Sequence, residues 1–127
     1  MIEFYGVFML VRKLEDCREF VSGDEALLRE ILHPDGSDLS IGYSLAHAVV
    51  EPGKITRPHR LQTSEVYYIL AGNGVMYVDD DHAPVVPGTS VYIPPGAKQN
   101  IENTGDTDLV FLCIVDPAWK AADEEIL

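Results

Sequence analysis

A stretch of twenty residues, 53 to 72, places the strongest constraint on what this chain can fold into. Its sequence is GKITRPHRLQTSEVYYILAG, in which two glycines enclose one imidazole and one carboxylate. The part from Glu65 to Leu70 is apolar and rich in Tyr and Ile, a composition typical of a β-strand. The Gly-Asn-Gly sequence at 72 to 74 then allows a tight reversal, because Gly and Asn tolerate positive φ. The stretch therefore predicts a β-hairpin with His59 and Glu65 at its approach.

Short apolar runs between turn residues continue along the rest of the chain. Strands are predicted over residues 40–51, 75–78, 89–93, 97–102 and 108–115. An exposed turn is predicted at Asp79 to His82, and the tail from residue 116 onwards is predicted as a short acidic helix that Asp116 caps and Pro117 begins. Short, regularly spaced strands with Gly and Pro turns are typical of a sandwich or barrel, so the predicted fold class is all-β.

Length and charge limit the classes of function that this chain can have. One hundred and twenty-seven residues predict a single domain, 1–127, and no apolar run is long enough to span a bilayer. The net charge of −12 argues against nucleic acid and against an anionic membrane surface as partners. Because no signal peptide is visible, we expect a cytoplasmic location. Cys17 and Cys113 form no metal-type pair, and a disulfide is not expected in a reducing compartment.

Two spaced motifs in the chain resemble those of the cupin superfamily. The first, G-x5-H-x-H-x3-4-E-x6-G, is matched by Gly53, His59, Glu65 and Gly72. The second, G-x5-P-x-G-x2-H-x3-N, is matched by Gly88, Pro94, Gly96 and Asn103. The resemblance, to small single-domain cupins of the cupin 2 conserved-barrel type, implies a double-stranded β-helix, that is a jelly-roll barrel closed around a pocket, with a short C-terminal helix.

The resemblance also divides the chain into parts. It implies an N-terminal strand arm at 1–20, a conserved barrel at 40–115 and a C-terminal tail at 116–127. Residues 24–32, DEALLREIL, have the local propensity of a helix. We assign them to a strand, because similar chains place one there and tertiary context can override a short propensity signal.

The family's metal set of three His and one Glu is incomplete in this sequence. His59 and Glu65 match it, whereas Leu61 and Gln99 stand where the second and third His would be. The resemblance places His59 and Glu65 at the mouth of the barrel, where they could bind a divalent metal. Alternatively the metal has been lost and His59 is hydrogen-bonded to Glu65. The amide oxygen of Gln99 could ligate a cation weakly, or could orient a substrate or water.

His47 is a candidate replacement for the missing imidazole. If its side chain faces inward, then His47, His59 and Glu65 form a two-His, one-carboxylate set with Gln99 at a fourth position. Such a set suits Zn, Fe(II), Mn or Ni. The alternative is a partly buried structural histidine that takes no part in ligation.

Four further residues are predicted to contact a small-molecule ligand. Tyr67 and Ile69 share the parity of Glu65 on their strand and should either line the pocket or simply pack in the core, and Leu61 shares the parity of His59. Arg57 lies in a basic loop that could attract an anion, or that simply balances nearby carboxylates.

Three functions remain open on the sequence. The chain could be a metal-dependent enzyme, and cupins include dioxygenases, isomerases, cyclases and lyases. It could be a non-catalytic cupin that binds a metabolite or sugar beside a degenerate metal site. It could also be an interaction module whose barrel is filled by side chains. The apolar N-terminal strand suggests a homodimer, because an uncovered strand pairs readily with a second subunit.

Overall fold

The computed structural model describes residues 2–5, 9–37 and 39–127. Within these residues, the strands β1 to β13 span Ile2–Tyr5, Met9–Arg12, Glu19–Val21, Leu27–Leu32, Ser44–Val50, His59–Leu61, Ser64–Ala71, Gly74–Val78, Asp81–Val85, Ser90–Ile93, Gln99–Asn103, Leu109–Asp116 and Glu124–Ile126. The helical segments are one turn of α-helix, α1 (Pro34–Ser37), and two 3-10 turns at Leu14–Asp16 and Ala121–Asp123. No helix in the described ranges is long and apolar enough to cross a membrane.

Two antiparallel sheets form the body of the fold. The larger sheet contains six strands in the order β10-β7-β12-β5-β4-β3, and the smaller contains five in the order β13-β6-β11-β8-β9. β1 and β2 pair only with each other. This arrangement confirms the all-β jelly-roll prediction. It also confirms the strand within residues 24–32, because β4 pairs with β5 in the larger sheet.

The hydrophobic core lies where the inner faces of the two sheets meet. On β12 every second residue is buried, and these residues include Leu109, Phe111 and Cys113. They pack with buried residues of the smaller sheet such as Met76 and Ile101. The alternation follows from strand geometry, in which successive side chains point to opposite faces.

The predicted hairpin at residues 65–78 is wrong in its pairing, although both strands are present. β7 belongs to the six-stranded sheet and β8 to the five-stranded sheet, so the chain changes sheets at Gly72 and Asn73. A Cβ at Gly72 would collide with the carbonyl oxygen of Asp108 and would stand 2.8 Å from the Cα of Leu109. The turn residues therefore allow a tight corner between two layers, which the local sequence does not distinguish from a hairpin.

The prediction for Asp79 to His82 is correct only in part. Asp79 and Asp80 form a turn, but Asp81 and His82 already belong to β9, which pairs with β8.

The C-terminal tail differs from the predicted helix. Its only helical segment in the described chain is the three-residue turn at Ala121–Asp123, and Asp116 ends β12 instead of capping a helix. The last residues form β13, which pairs with β6 through Glu124 opposite Leu61 and Ile126 opposite His59. Backbone pairing along the edge of β6 therefore overrides the local helix propensity of the tail.

Candidate functional site

A cavity of about 180 Å³ lies between the two sheets. Strands β3, β4, β5, β7 and β12 contribute residues from the larger sheet, and β6 and β13 contribute residues from the smaller. Its apolar wall includes Phe20, Leu28, Ala46, Ala48, Tyr67 and Phe111. The rings of Tyr67 and Phe111 pack with their centroids 4.5 Å apart. At this point the barrel is therefore hollow, with a volume suited to a small molecule.

Three of the predicted site residues come together beside this cavity. His59 and Gln99 are directly opposite each other on the paired strands β6 and β11. Glu65 lies on β7 of the other sheet and interacts with Gln99 through a side-chain hydrogen bond. All three side chains are buried. The alternation along β6 and β7 explains this arrangement, since it turns His59, Leu61 and Glu65 inward while Arg60 and Val66 are only partly buried.

The electrostatics of Glu65 are unusual for a carboxyl group. Burial raises its pKa from 4.5 to about 8, the Gln99 hydrogen bond opposes this rise, and the charges of Asp24 and Glu124 add to it. Near neutral pH the carboxyl is therefore mostly protonated. Its Oε1 atom and the Oε1 atom of Gln99 are both buried without a hydrogen-bond partner among the described residues. Such orphaned oxygens are costly to bury, so a ligand that hydrogen-bonds to them would gain affinity.

His59 has partners that the sequence did not indicate. Its Nδ1 atom lies 3.2 Å from the carbonyl oxygen of Arg57 and 3.6 Å from Oδ2 of Asp24. Asp24 also accepts a hydrogen bond from the Ser22 hydroxyl. In the described part of the chain, His59 is thus held by a backbone carbonyl and Asp24, and the alternative of a hydrogen bond to Glu65 is not observed.

Sequence reasoning missed several residues that line the cavity. Asp24 belongs to the turn before β4, and Glu124 arrives on β13 at the end of the chain. The indole N–H of Trp119 donates a hydrogen bond of 2.6 Å to Glu124. No local signal points to Glu124, because its place depends on the pairing of β13 with β6. Ser22 and Asp24 could have been noticed as a turn with a short polar side chain on either side of Gly23.

His47 does not join this site. The even-numbered residues of β5, including Ala46 and Ala48, line the cavity, whereas His47 lines a separate surface pocket together with Arg29 and Glu19. Partial burial and the Arg29 charge lower its pKa, although Glu19 opposes this. The inward orientation considered for His47 is therefore wrong. The small side chains of β5, such as Ala46 and Ala48, face inward and leave room for the cavity, so the bulkier ones face outward.

The four predicted ligand contacts have different locations. Leu61 and Tyr67 are buried and line the cavity. Ile69 is fully buried but packs in the hydrophobic core outside the cavity lining. Arg57 is exposed, and its guanidinium donates a hydrogen bond of 3.4 Å to the carbonyl oxygen of Leu127. The structure thus does not place Arg57 or Ile69 at the cavity wall.

The thiol and phenol beside the cavity are poor nucleophiles. Burial raises the pKa of the Cys113 thiol well above its ordinary value, and the nearby Glu65 and Asp24 charges add to this. Burial likewise raises the pKa of the Tyr67 hydroxyl. Since the thiolate is the reactive form of cysteine, nucleophilic catalysis by Cys113 is not favoured. The groups suited to proton transfer are Glu65 and His59.

Comparison with known proteins identifies the family of this fold. Residues 46–115 match the family model described as a cupin domain. The chain belongs to the cupin superfamily. Among similar proteins, an uncharacterized protein of Methanocaldococcus jannaschii is 39% identical over 111 residues, covering 87% of this cupin and 88% of the relative. A glucose-6-phosphate isomerase of Thermococcus gammatolerans is 32% identical over 132 residues, covering 86% and 70%.

The solved structures agree with this assignment at the level of the fold. A cupin 2 conserved barrel domain protein from Salinispora arenicola superimposes with a TM-score of 0.74, covering 90% of this chain and 91% of that one. The two sequences are 20% identical, so the likeness concerns the fold alone.

The four motif glycines all have positive φ, between 76° and 89°. Asn103, the last motif residue, donates hydrogen bonds of 2.8 Å to the carbonyl oxygens of Val50 and Thr107. These motif residues thus serve the turns and loop contacts of the fold.

The residues at the metal positions of this cupin do not fit the family's usual metal. Leu61 offers no donor atom, and the amide oxygen of Gln99 is neutral. In the described residues no three His, Cys, Asp or Glu side chains are grouped so that they could hold a metal ion.

Proposed function

We propose that this chain is a small-molecule-binding cupin whose ligand occupies the barrel cavity without the family's metal. Under this proposal, the Glu65 carboxyl takes the place of the metal as the main polar contact. The observation that carries the proposal is a hollow beside a buried carboxyl group, Glu65, whose Oε1 atom has no hydrogen-bond partner in the described chain. A mostly protonated carboxyl can both donate and accept a hydrogen bond.

Three features support ligand binding over a structural role. The cavity has a largely apolar wall with a few polar groups, which is the usual composition of small-molecule sites. His59 is held by Asp24 and the Arg57 carbonyl and has its position set before a ligand arrives. Placing unsatisfied oxygens inside a barrel lowers its stability, so a purely structural barrel would gain from apolar residues there.

We predict that filling the cavity abolishes ligand binding. Ala46→Phe places a ring in the cavity, whereas Leu45→Phe adds a ring on the outer face of the same strand. Small molecules that co-purify with the wild-type protein and Leu45→Phe, measured by mass spectrometry of the extract, should be absent from Ala46→Phe. Adding a ligand back at one hundred times its Kd should stabilise the wild-type protein by about 2.7 kcal/mol.

The same preparations test the metal-dependent alternative. A stoichiometric transition metal in protein purified without chelator, lost in His59→Ala, would contradict the proposal and support a metal-dependent enzyme. Glucose 6-phosphate is one of the ligands to add back to the purified protein, because one relative is named as a glucose-6-phosphate isomerase. A Glu65→Leu variant, which has neither hydrogen-bonding oxygen, that still co-purifies with the same compound at the same level would show that the carboxyl is not the main contact.

We also propose that the chain forms a homodimer through its N-terminal hairpin. β1 and β2 pair with each other and join neither sheet, so the outer edges of this hairpin have no strand neighbour in the described chain. Uncovered strand edges pair readily with a second copy. Light scattering should give about twice the chain mass of 14.0 kDa, and deletion of residues 1–12 should give a monomer. A monomeric mass for the full chain would contradict this.

A further inference from the structure

The cavity carries carboxyl groups without basic groups to balance them. Asp24, Glu30, Glu65 and Glu124 all line it, and none of the lining residues in the described chain is Lys or Arg. His59 is the one imidazole of that lining, and it is already within 3.6 Å of Asp24. Because Glu65 is mostly protonated near neutral pH, it is Asp24, Glu30 and Glu124 that give the cavity a negative electrostatic environment.

Among the described residues, no Lys or Arg lies within salt-bridge distance of Asp24, Glu30 or Glu124. Glu124 accepts a hydrogen bond from the indole N–H of Trp119, which carries no charge. Charges that face a partly enclosed, poorly solvated hollow interact more strongly than charges in water, so an entering cation would be attracted and an entering anion repelled.

A second and independent observation points to a ligand at this place. Glu65 is 6% exposed and lines the cavity, and its Oε1 atom has no hydrogen-bond partner among the described residues. A buried carboxyl oxygen of this kind requires a hydrogen-bonding partner. The N–H of a protonated amine supplies one, and so does the hydroxyl group of choline or another amino alcohol.

Aromatic rings complete the cavity wall. Phe20, Tyr67, Phe111 and Trp119 line it together with the carboxyl groups. A cation near the face of an aromatic ring is attracted by the ring quadrupole, and cages of rings and carboxylates are typical of sites for organic ammonium groups. We propose that the cavity binds a small organic cation, an amine or a quaternary ammonium compound, as the ligand of the proposed small-molecule function.

The aromatic wall distinguishes an organic cation from a metal ion. A hard divalent cation requires several oxygen ligands that converge within about 2.0–2.6 Å of one point. The described residues provide no such group. An alkyl ammonium compound can instead place its carbon atoms against the apolar wall and its charge near the carboxyl groups.

Choline and its uncharged isostere 3,3-dimethylbutan-1-ol test this inference directly, since they have nearly the same shape and only choline carries a charge. Isothermal titration calorimetry at pH 7 should show choline binding at least tenfold more tightly than the alcohol. Putrescine and tetramethylammonium extend the panel to other cations. Glucose 6-phosphate and inorganic phosphate should not bind in the cavity, and Zn²⁺ or Mn²⁺ should not displace choline.

Substitutions inside and outside the cavity show whether choline binds there. Asp24→Asn and Glu124→Gln retain the shape of each side chain and should each weaken choline about tenfold, while affinity for the uncharged alcohol stays unchanged. The exposed Glu51→Gln should change neither affinity. Ala46→Phe should abolish choline binding, whereas Leu45→Phe should not.

Each contrary outcome identifies which idea has failed. Equal affinity for choline and the alcohol, or no binding by any cation of the panel, overturns the cationic ligand. If a neutral or anionic compound then still depends on the cavity in Ala46→Phe, the proposed small-molecule function stands. Choline binding that Ala46→Phe leaves unchanged places the cation elsewhere and overturns the inference. Displacement of choline by a stoichiometric divalent metal ion overturns the organic cation in favour of a metal.

Discussion

Replacing Glu65 by Gln should remove most of the pH dependence of folding stability between pH 4.5 and pH 8. In the folded protein, burial raises the pKa of this carboxyl from 4.5 to about 8. Below pH 4.5 the group is protonated in both the folded and the unfolded states, so its ionisation does not lower the free energy of unfolding. As the pH rises towards 8, the unfolded chain loses the proton first, so stability falls. The full loss is on the order of 4–5 kcal/mol, because one pKa unit corresponds to about 1.4 kcal/mol.

Urea denaturation at pH 5, 7 and 9 measures this effect. At pH 5 the wild-type protein and Glu65→Gln should have similar free energies of unfolding, because a protonated carboxyl and an amide are both neutral. At pH 9 the variant should be the more stable protein by several kcal/mol. The exposed Glu51→Gln serves as the matched control and should follow the wild-type profile. A wild-type stability that stays constant from pH 5 to pH 9 would show that Glu65 is ionised throughout.

The second large effect is expected at the corner between β7 and β8. Gly72→Ala should destabilise the fold by about 3–5 kcal/mol. Its φ of 83° is unfavourable for any residue with a Cβ. The new methyl group would also collide with the carbonyl oxygen of Asp108 and stand 2.8 Å from the Cα of Leu109. Both obstacles are backbone atoms, so neither can move away as a flexible side chain would.

Gly88→Ala separates the two causes. Gly88 has a similar φ of 89°, but a Cβ there meets no atom within 4 Å. Only the backbone strain remains, and we expect a loss of about 1–2 kcal/mol. The difference between the two variants in chemical denaturation measures the collision with β12 alone. Equal losses for Gly72→Ala and Gly88→Ala would mean that the corner relaxes, and that the close contact with β12 does not constrain it.

In this cupin the motif residues that shape the fold are intact, whereas two positions of the family's metal set hold Leu61 and Gln99. The motif glycines and Asn103 maintain turns, and they keep their roles whatever the barrel contains. The positions of the family's metal ligands do not maintain turns, so Leu61 and Gln99 can occupy them without loss of the fold. Glu65 then remains as a buried acid, and its neighbours decide what it can contact.

Much of the fold could be predicted because its signals are local. Alternating apolar residues specify a strand, and Gly or Asn specifies a turn, within a few residues of chain. The motif spacing also singled out His59, Glu65 and Gln99, which the structure brings together beside the cavity. The same locality explains two errors. At residues 65–78, a turn does not show which sheet the next strand joins. In the tail, a helix-prone segment does not show that the edge of β6 is open to pairing.

The sequence by itself determined the all-β class, most of the strands between residues 40 and 115, and the presence of an imidazole, His59, six residues before an acid, Glu65. Only the tertiary structure decided that His47 faces outward, that Asp24 meets His59, and that Glu124 joins the cavity from the far end of the chain. The physical reason is that burial, charge and the sharing of a cavity depend on distances between residues far apart in sequence. The pKa of Glu65 and the negative character of the cavity both arise from such distances, and they exist only once the two sheets have closed.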